Sequence, residues 1–531
     1  MTDRPYEQAI LEESYDEVPY QSYPFNQTHP IHLFTFAKLL GLNPPPVETA
    51  RILEIGCSSG GNIIPMACHF PNAKLVGFDL SKVEISKGLE QITDLKLTNI
   101  ELRHQSILDF NQDEGQFDYI ICHGVYSWVD AAIRDKILQI YRDNLAKNGI
   151  GYISYNTYPG WNMVNILRDL MIWRTQKTQN QWIKIKQGRS TLKFFADGLK
   201  EDHTPYAEFF RGETELLSKQ MDSYIAHEHL SYYNEPCYFY EFNAELAKHN
   251  LAYLGDAFLA NMYIDILPAH FSQHLTETED FVEIEQTIDF IRNQRFRCSL
   301  ICHPGPKIDR TPKNKKIDDF YLQYVADNDK PNLSFDDIGK VGEINFYNAL
   351  SNLKVRNPTS QLAMLILMEE KAKPLHFNDL CQKIVERSSF NNIAAVKHHL
   401  NDDLNLMLAA FAGLINLSSY PGDFTLAIAN KPIACKLSRY QAQKDNYVTN
   451  RLHQTVALDA VAKTILPFLD GKHEIQDLAH IARSQLDVDA LNLLDEDKHL
   501  LTDEDLIKQR VEQACREALE IIAKQALLIN P

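Results

Sequence analysis

The chain has 531 residues, 44% of them hydrophobic and 10% aromatic, enough for three or four units of roughly 150 residues, each with its own core; a disordered or collagen-like protein is excluded. Against 71 Asp and Glu stand 53 Lys and Arg, a net charge of −18, so phosphate backbones repel the chain and nucleic acid is not an expected partner. Residues 1–10 hold no apolar signal core, the longest apolar run (Leu362 to Met368) falls far short of a membrane span, and the cysteines are scattered, which together read as a cytoplasmic protein with reduced thiols and no membrane partner.

In chain order, a Pro- and aromatic-rich lead-in with Tyr15, Tyr20, Tyr23 and Phe25 precedes an amphipathic helix near His32–Leu40, stopped by Gly41 and Pro44-Pro45-Pro46. The lead-in is expected to lie over a sheet edge. From Arg51 to Tyr155, β-branched runs alternate with helical patterns: RILEI, GNIIPMACHF, KLVGFDL, a helix over about 82–92, IELRHQ, YIICHGV, a helix over 133–145 and IGYISY. That rhythm predicts a parallel sheet wound with helices. The pattern is helical from Trp161 to Leu251, then strand-like in RFRCSLICH, and residues 305–316 have the Pro, Gly and Lys content of a linker.

Past the linker, two helices over QLAMLILMEEKAKPLHFNDLCQKIVER, a third helix and a hairpin through Tyr420-Pro421-Gly422-Asp423 suggest a winged helix-turn-helix module. Residues 317–531 carry 22 Lys and Arg against 30 Asp and Glu, so the module is expected to dock a partner or serve structure rather than read DNA. The tail from Thr455 is helical. Apolar stripes over 372–390 and 505–528 predict packing faces, which would also suit a homodimer interface.

The sharpest motif is Leu53-Glu54-Ile55-Gly56-Cys57-Ser58-Ser59-Gly60-Gly61-Asn62, which leaves a strand and enters a helix. Glycines there allow a tight turn and close backbone approach to a ligand, and the helix start offers free N–H groups. Asp79, followed by Leu80, closes the next strand 23 residues past Gly56, where a carboxylate can hold both hydroxyls of a ribose. A nucleoside-containing cofactor is implied, with a packing-only glycine turn as the alternative. A dinucleotide site wants G-x-G-x-x-G, and Ser58 replaces its middle glycine.

The E-x-G-C-S-x-G-G form resembles class I S-adenosylmethionine-dependent methyltransferases. With Tyr15 to Tyr20, HGVYSW at 123–128, NTYPGW at 156–161 and the later HEHL, YLGDA and DFIRNQRFR segments, the chain resembles, over residues 12 to about 303, bacterial protein-lysine methyltransferases that carry a methyltransferase regulatory domain. The resemblance implies an α/β fold with a Rossmann-like seven-stranded sheet, followed by mostly helical regulatory and winged-helix-like domains: 1–195 methyltransferase, 196–304 regulatory, 305–316 linker, 317–430 winged-helix-like and 431–531 helical. It implies S-adenosyl-L-methionine as cofactor, held by Glu54, Gly56, Cys57, Ser58, Gly60, Asp79, Leu80, Ser106, Ile107, His123 and Gly124. The adenine position often carries Asp in such enzymes, and Ser106 departs from that.

The acceptor is expected beyond the carboxyl ends of the strands. Tyr20, Tyr126, Trp128, Tyr155, Tyr158 and Trp161 could line an aromatic channel that desolvates a lysine ammonium and guides it by cation–π attraction, with Asn156 as an amide acceptor; core packing is the alternative for each ring. His123 is a candidate proton acceptor or hydrogen-bonded scaffold. An N-P-P-Y signature after the fourth strand is absent, which disfavours base methylation. His227-Glu228-His229 lacks the H-E-x-x-H spacing, and no metal is expected. The reading is a methyltransferase acting on lysine amines of proteins, with two rivals: a small-molecule methyltransferase with a C-terminal lid, and a non-catalytic cofactor-binding interaction protein.

Overall fold

A computed structural model describes residues 17–18, 22–264, 267–310, 317–330, 333–348, 352–370, 373–388, 392–410, 414–491, 493 and 501–530. Its centre is a seven-stranded sheet of β1 (Arg51–Ile55), β2 (Lys74–Asp79), β3 (Ile100–His104), β4 (Phe117–Cys122), β5 (Leu145–Asn156), β6 (Ala252–Asp256) and β7 (Phe296–Cys302), in the order β3-β2-β1-β4-β5-β7-β6. Strands β1 to β5 are parallel, with Leu53 of β1 opposite Val76 of β2 and Ile120 of β4. Strand β7 runs antiparallel to both β5 and β6. The expected Rossmann-like sheet is present.

These strands read as apolar runs because both faces are covered. Side chains alternate. Ile52, Leu75, Tyr119, Ile121, Ile150 and Tyr152 meet the lead-in helix Pro30–Leu39 and the helices Ile63–His69 and Lys82–Asp94 in one core. Leu53, Ile55, Phe78, Ile120, Cys122 and Tyr155 meet the helices Ala131–Asn144 and Phe239–Lys248 in another.

Strands β6 and β7 lie within 196–304, so that segment both carries helices and completes the sheet. The chain leaves β5 at Asn156, runs through helices Gly160–Thr175, Gln181–Gly198 and Pro205–Ser218, and returns as β6. Those helices pack through Leu167, Met171, Ile185, Leu192, Phe210 and Leu217.

In the C-terminal half, helices Pro358–Glu369, Phe377–Arg387 and Ile393–Ala410 accompany a small sheet of Leu375–His376, Tyr321–Tyr324 and Ile415–Ser418. A second set follows, with helices Lys436–Ala442, Ala460–Ile465, Ile475–Gln485 and Glu504–Lys524 and a hairpin of Tyr447–Thr449 with Thr455–Ala457. The stripes over 372–390 and 505–528 are packing faces within the chain: Phe377, Leu380 and Ile384 join the large core, and Ile507, Val511, Cys515 and Ile522 join the C-terminal one. Among the described residues, no helix is long and apolar enough to cross a membrane.

Candidate active site

Chain order reverses between β1 and β4, which opens a crevice at their carboxyl ends. A cavity of ≈ 660 Å³ lies there, within the ~300–1,000 Å³ typical of cofactor sites. Its near wall is the β1 turn. Gly56 has φ +74°, and a Cβ on it would sit 2.5 Å from Val125 Cγ2, so only glycine leaves this approach open. Ser58 has φ +49°. Its N–H donates to Asp79 Oδ2 at 2.8 Å, and Ser81 N–H donates to Asp79 Oδ1 at 2.8 Å. A carboxylate has about four lone-pair sites, so each oxygen keeps acceptor capacity after fixing the two loops. Burial raises the Asp79 pKa, while the two N–H donors oppose that shift.

Glu54 is buried at the cavity wall. Its Oε1 accepts from Asn62 Nδ2 at 2.7 Å, and its Oε2 has no hydrogen-bond partner among the described residues. Burial pushes its pKa up to about 8. An orphaned buried carboxylate oxygen beside a glycine cradle and a ribose-competent Asp79 fits S-adenosylmethionine, whose ammonium group can supply the missing donor.

The other residues expected to hold the cofactor fall into place around the cavity with one exception. Cys57, Leu80, Ser106, Ile107, His123 and Gly124 all line it. Gly60 does not; its φ is +80° and a Cβ would meet Ile64 at 2.8 Å, so it serves turn geometry and helix packing. Ser106 Oγ accepts from Leu108 N–H at 3.3 Å, capping the turn that presents Ile107. His123 contacts Tyr152 Oη at 2.9 Å and packs against Phe25 at a 4.0 Å ring separation. Burial lowers its pKa to about 4, which keeps it neutral at neutral pH.

The residues expected to meet the acceptor divide. Trp128, Asn156 and Trp161 line the cavity. Asn156 Nδ2 donates to Asn234 Oδ1 at 3.0 Å. Tyr155 precedes Asn156 in an extended strand, so their side chains diverge to opposite faces; the Tyr155 ring stacks on Phe242 at 4.2 Å, and its hydroxyl lies 3.2 Å from Ser299 Oγ. Tyr126 packs edge-on to Phe242 in the same core. Tyr158 packs beside Trp128 and Trp161 and against Tyr238, outside the cavity lining. Tyr20 lies outside the described residues.

Several wall residues were not among the expected site residues. Ser22, Tyr23 and Phe25 of the lead-in cross the mouth of the crevice rather than a sheet edge, and Ser22 Oγ accepts from Gly61 N–H at 2.8 Å. The far wall is Glu213, Tyr224, Tyr233, Arg295 and a π-helical turn, Ile225–His229, that brings His227, Glu228 and His229 onto the cavity. Arg295 pairs with Glu213 at 2.6 and 2.9 Å. Burial pushes Glu228 up to about 8. His227 and His229, at i and i+2, both line the cavity; among the described residues no cluster of three or more His, Cys, Asp or Glu could hold a metal ion.

Family models described as Methyltransferase domain, Predicted methyltransferase regulatory domain and PKMT, C-terminal winged helix domain match residues 47–208, 221–303 and 430–527. The chain is 37% identical over 521 residues to the uncharacterized protein RP789 of Rickettsia prowazekii, covering 97% of this chain and 93% of that one. The structure of PKMT2 from Rickettsia typhi is similar with a TM-score of 0.86 at 33% identity, over 96% of this chain and 100% of that one. The chain belongs to the PKMT family of S-adenosylmethionine-dependent methyltransferases. A second structure of that PKMT2, in complex with AdoHcy, also has a TM-score of 0.86, at 32% identity. In this methyltransferase the regulatory match contains β6 and β7, and the winged-helix match begins where the expected 317–430 module ends.

Proposed function

We propose that this methyltransferase transfers methyl groups from S-adenosylmethionine to lysine amines of protein substrates in the cytoplasm, its nine cysteines remaining free thiols. One observation carries the reading: a single cavity joins the Gly56–Asp79 cradle to a far wall of aromatics and carboxylates. The similarity to a PKMT2 solved with AdoHcy supports the cofactor, and the PKMT name, protein-lysine methyltransferase, supports the acceptor. The division proposed is a methyltransferase domain over 1–195, a regulatory domain over 196–304 and, following the 430–527 match, a winged-helix domain where only a helical region was expected over 431–531.

When bound, the cofactor supplies an electrophilic methyl on a sulfonium. Asp79 would hold its ribose, Glu54 its ammonium, and Ser106 and Ile107 its adenine. Trp128 and Trp161 exclude water around the approaching lysine and attract its ammonium, and Asn156, fixed by Asn234, offers its side-chain oxygen to an N–H. A lysine must lose a proton before attack, with a reference pKa of about 10.4. Glu228, whose pKa of about 8 makes its ionised form a stronger base than His123 with a pKa of about 4, suits that proton transfer better than His123, whose Nδ1 is engaged by Tyr152. Alignment and dehydration account for the rest.

Incubation with methyl-labelled cofactor and cell lysate is expected to label protein, with the label recovered as methyllysine after acid hydrolysis. Label recovered only in small metabolites favours the small-molecule reading; no label at all favours the non-catalytic one.

Glu54 gives a pH prediction. Its free-state pKa of about 8 means a mostly protonated carboxyl at pH 7, whereas pairing with an ammonium favours the ionised form. Binding of S-adenosylhomocysteine at pH 7 is therefore expected to release close to one proton, and affinity should fall up to tenfold per pH unit below 8. Calorimetry in buffers of different ionisation enthalpy measures this. Glu54→Gln should abolish the release; the same proton count in both proteins excludes Glu54 as its source.

A further inference from the structure

The C-terminal half touches the wall of the cofactor site through His453, which hydrogen-bonds the lining residue Asn62. Strands Tyr447–Thr449 and Thr455–Ala457 form a hairpin within the segment matched as the winged-helix domain. At its tip Asn450 Oδ1 accepts from Leu452 N–H at 3.0 Å and Gln454 N–H at 2.9 Å, which holds His453 at φ +58°, a conformation costly for any residue but glycine. His453 is buried, and its Nε2 lies 2.8 Å from Asn62 Oδ1.

Asn62 is the residue that grips Glu54. It stands at the start of helix Ile63–His69, yet its side chain makes no capping bond there. Instead Oδ1 gathers Phe25 N–H at 2.9 Å, Thr28 Oγ1 at 3.1 Å and His453, while Nδ2 donates to Glu54 Oε1. Burial, with His69 nearby, lowers His453 to about 3, so the ring is neutral and donates a single N–H. The acceptor load on Oδ1 fixes the amide's orientation and leaves Nδ2 only the carboxylate to address. The hairpin itself is anchored, since Arg451 Nε donates to Asp423 Oδ1 at 2.8 Å and the His453 ring packs on His29 at 4.7 Å.

We propose that His453 is a positioning residue for the cofactor: through Asn62 it holds the Glu54 carboxylate toward the ammonium of the cofactor's amino-acid part, so that the C-terminal domain sets cofactor affinity. This rests on the cofactor assignment above. Because Glu54 addresses only the amino-acid part, the relay must discriminate between ligands that have that part and ligands that lack it. General loosening of the fold would not.

Calorimetry with S-adenosylhomocysteine and with 5′-methylthioadenosine, which lacks the amino-acid portion, tests this. His453→Leu is expected to weaken the first roughly five- to tenfold, the worth of one hydrogen bond, and to leave the second within about twofold. His453→Gln, which can place an N–H near the same point, should restore wild-type affinity. In a Glu54→Gln background His453→Leu should add less than about twofold, the mark of coupled residues. Should the leucine variant fail to fold, His453→Phe keeps a ring against His29 without the N–H and replaces it. Equal losses for both ligands, an undiminished loss in the Glu54→Gln background, or no loss at all overturns the proposal. A wild-type chain that binds neither ligand overturns the cofactor assignment itself.

Discussion

Asp79→Ala is expected to weaken S-adenosylhomocysteine binding on the order of a hundredfold or more. The carboxylate has two tasks. It accepts from Ser58 N–H and Ser81 N–H, both at 2.8 Å, and it faces the cavity where a ribose diol would donate. Hydrogen bonds to a charged acceptor contribute about 1.5–3 kcal/mol each, so losing two to the ligand gives a hundredfold to a ten-thousandfold effect before the loops relax. Ser58 at φ +49° makes relaxation certain to matter, because its backbone conformation is held by the bond that the alanine removes. Asp79→Asn separates the tasks. The amide keeps an acceptor for one loop and turns an NH₂ toward the other, so it should bind more weakly than wild type and more tightly than alanine. Wild-type affinity in the alanine variant would remove Asp79 from the cofactor site.

Much of that site was legible because its chemistry is local. The β1 turn, the following helix and Asp79 fall within 30 residues of one another, and glycines at positive φ leave a mark that few other constraints leave. The rest depended on strand faces and on distant chain segments. Tyr155 and Asn156 are neighbours in sequence, and only the pleat of β5, with Phe242 filling one side, decides that the amide reaches the cavity while the ring enters the core. Glu213, Glu228 and Arg295 arrive from a helical insertion, a π turn and the start of β7, none of which has a period that points to a cavity. The 196–304 segment looked separable because β6 and β7 are 40 residues apart and antiparallel to each other. The partner of β7 in the parallel part of the sheet, β5, ends 140 residues before β7 begins, at Asn156 against Phe296, a pairing that no local pattern encodes.

That long-range closure of the sheet rests on Arg297, and its loss is expected to cost the most stability. Arg297 is 1% exposed on β7. Its Nε donates to Asp289 at 2.8 and 3.0 Å, Nη1 to Glu285 Oε2 at 2.9 Å and Nη2 to the Glu285 carbonyl at 3.0 Å, and the guanidinium lies over the Phe239 ring at 4.3 Å. One side chain thus ties the helix Phe281–Arg292 and the helix Phe239–Lys248 to the strand beside β5. Arg297→Met would leave Glu285 and Asp289 buried without their counter-charge, a defect of about 3–5 kcal/mol, or roughly 6–20 °C in the unfolding midpoint of a unit this size. The cost lies in the uncompensated acids more than in the lost attraction, since a buried ion pair barely exceeds its own desolvation. The triple variant Arg297→Met, Glu285→Gln, Asp289→Asn should therefore unfold at a higher temperature than the single variant. Calorimetric melting of both decides it: a triple variant less stable than the single one would mean that the attraction itself holds β7 in the sheet.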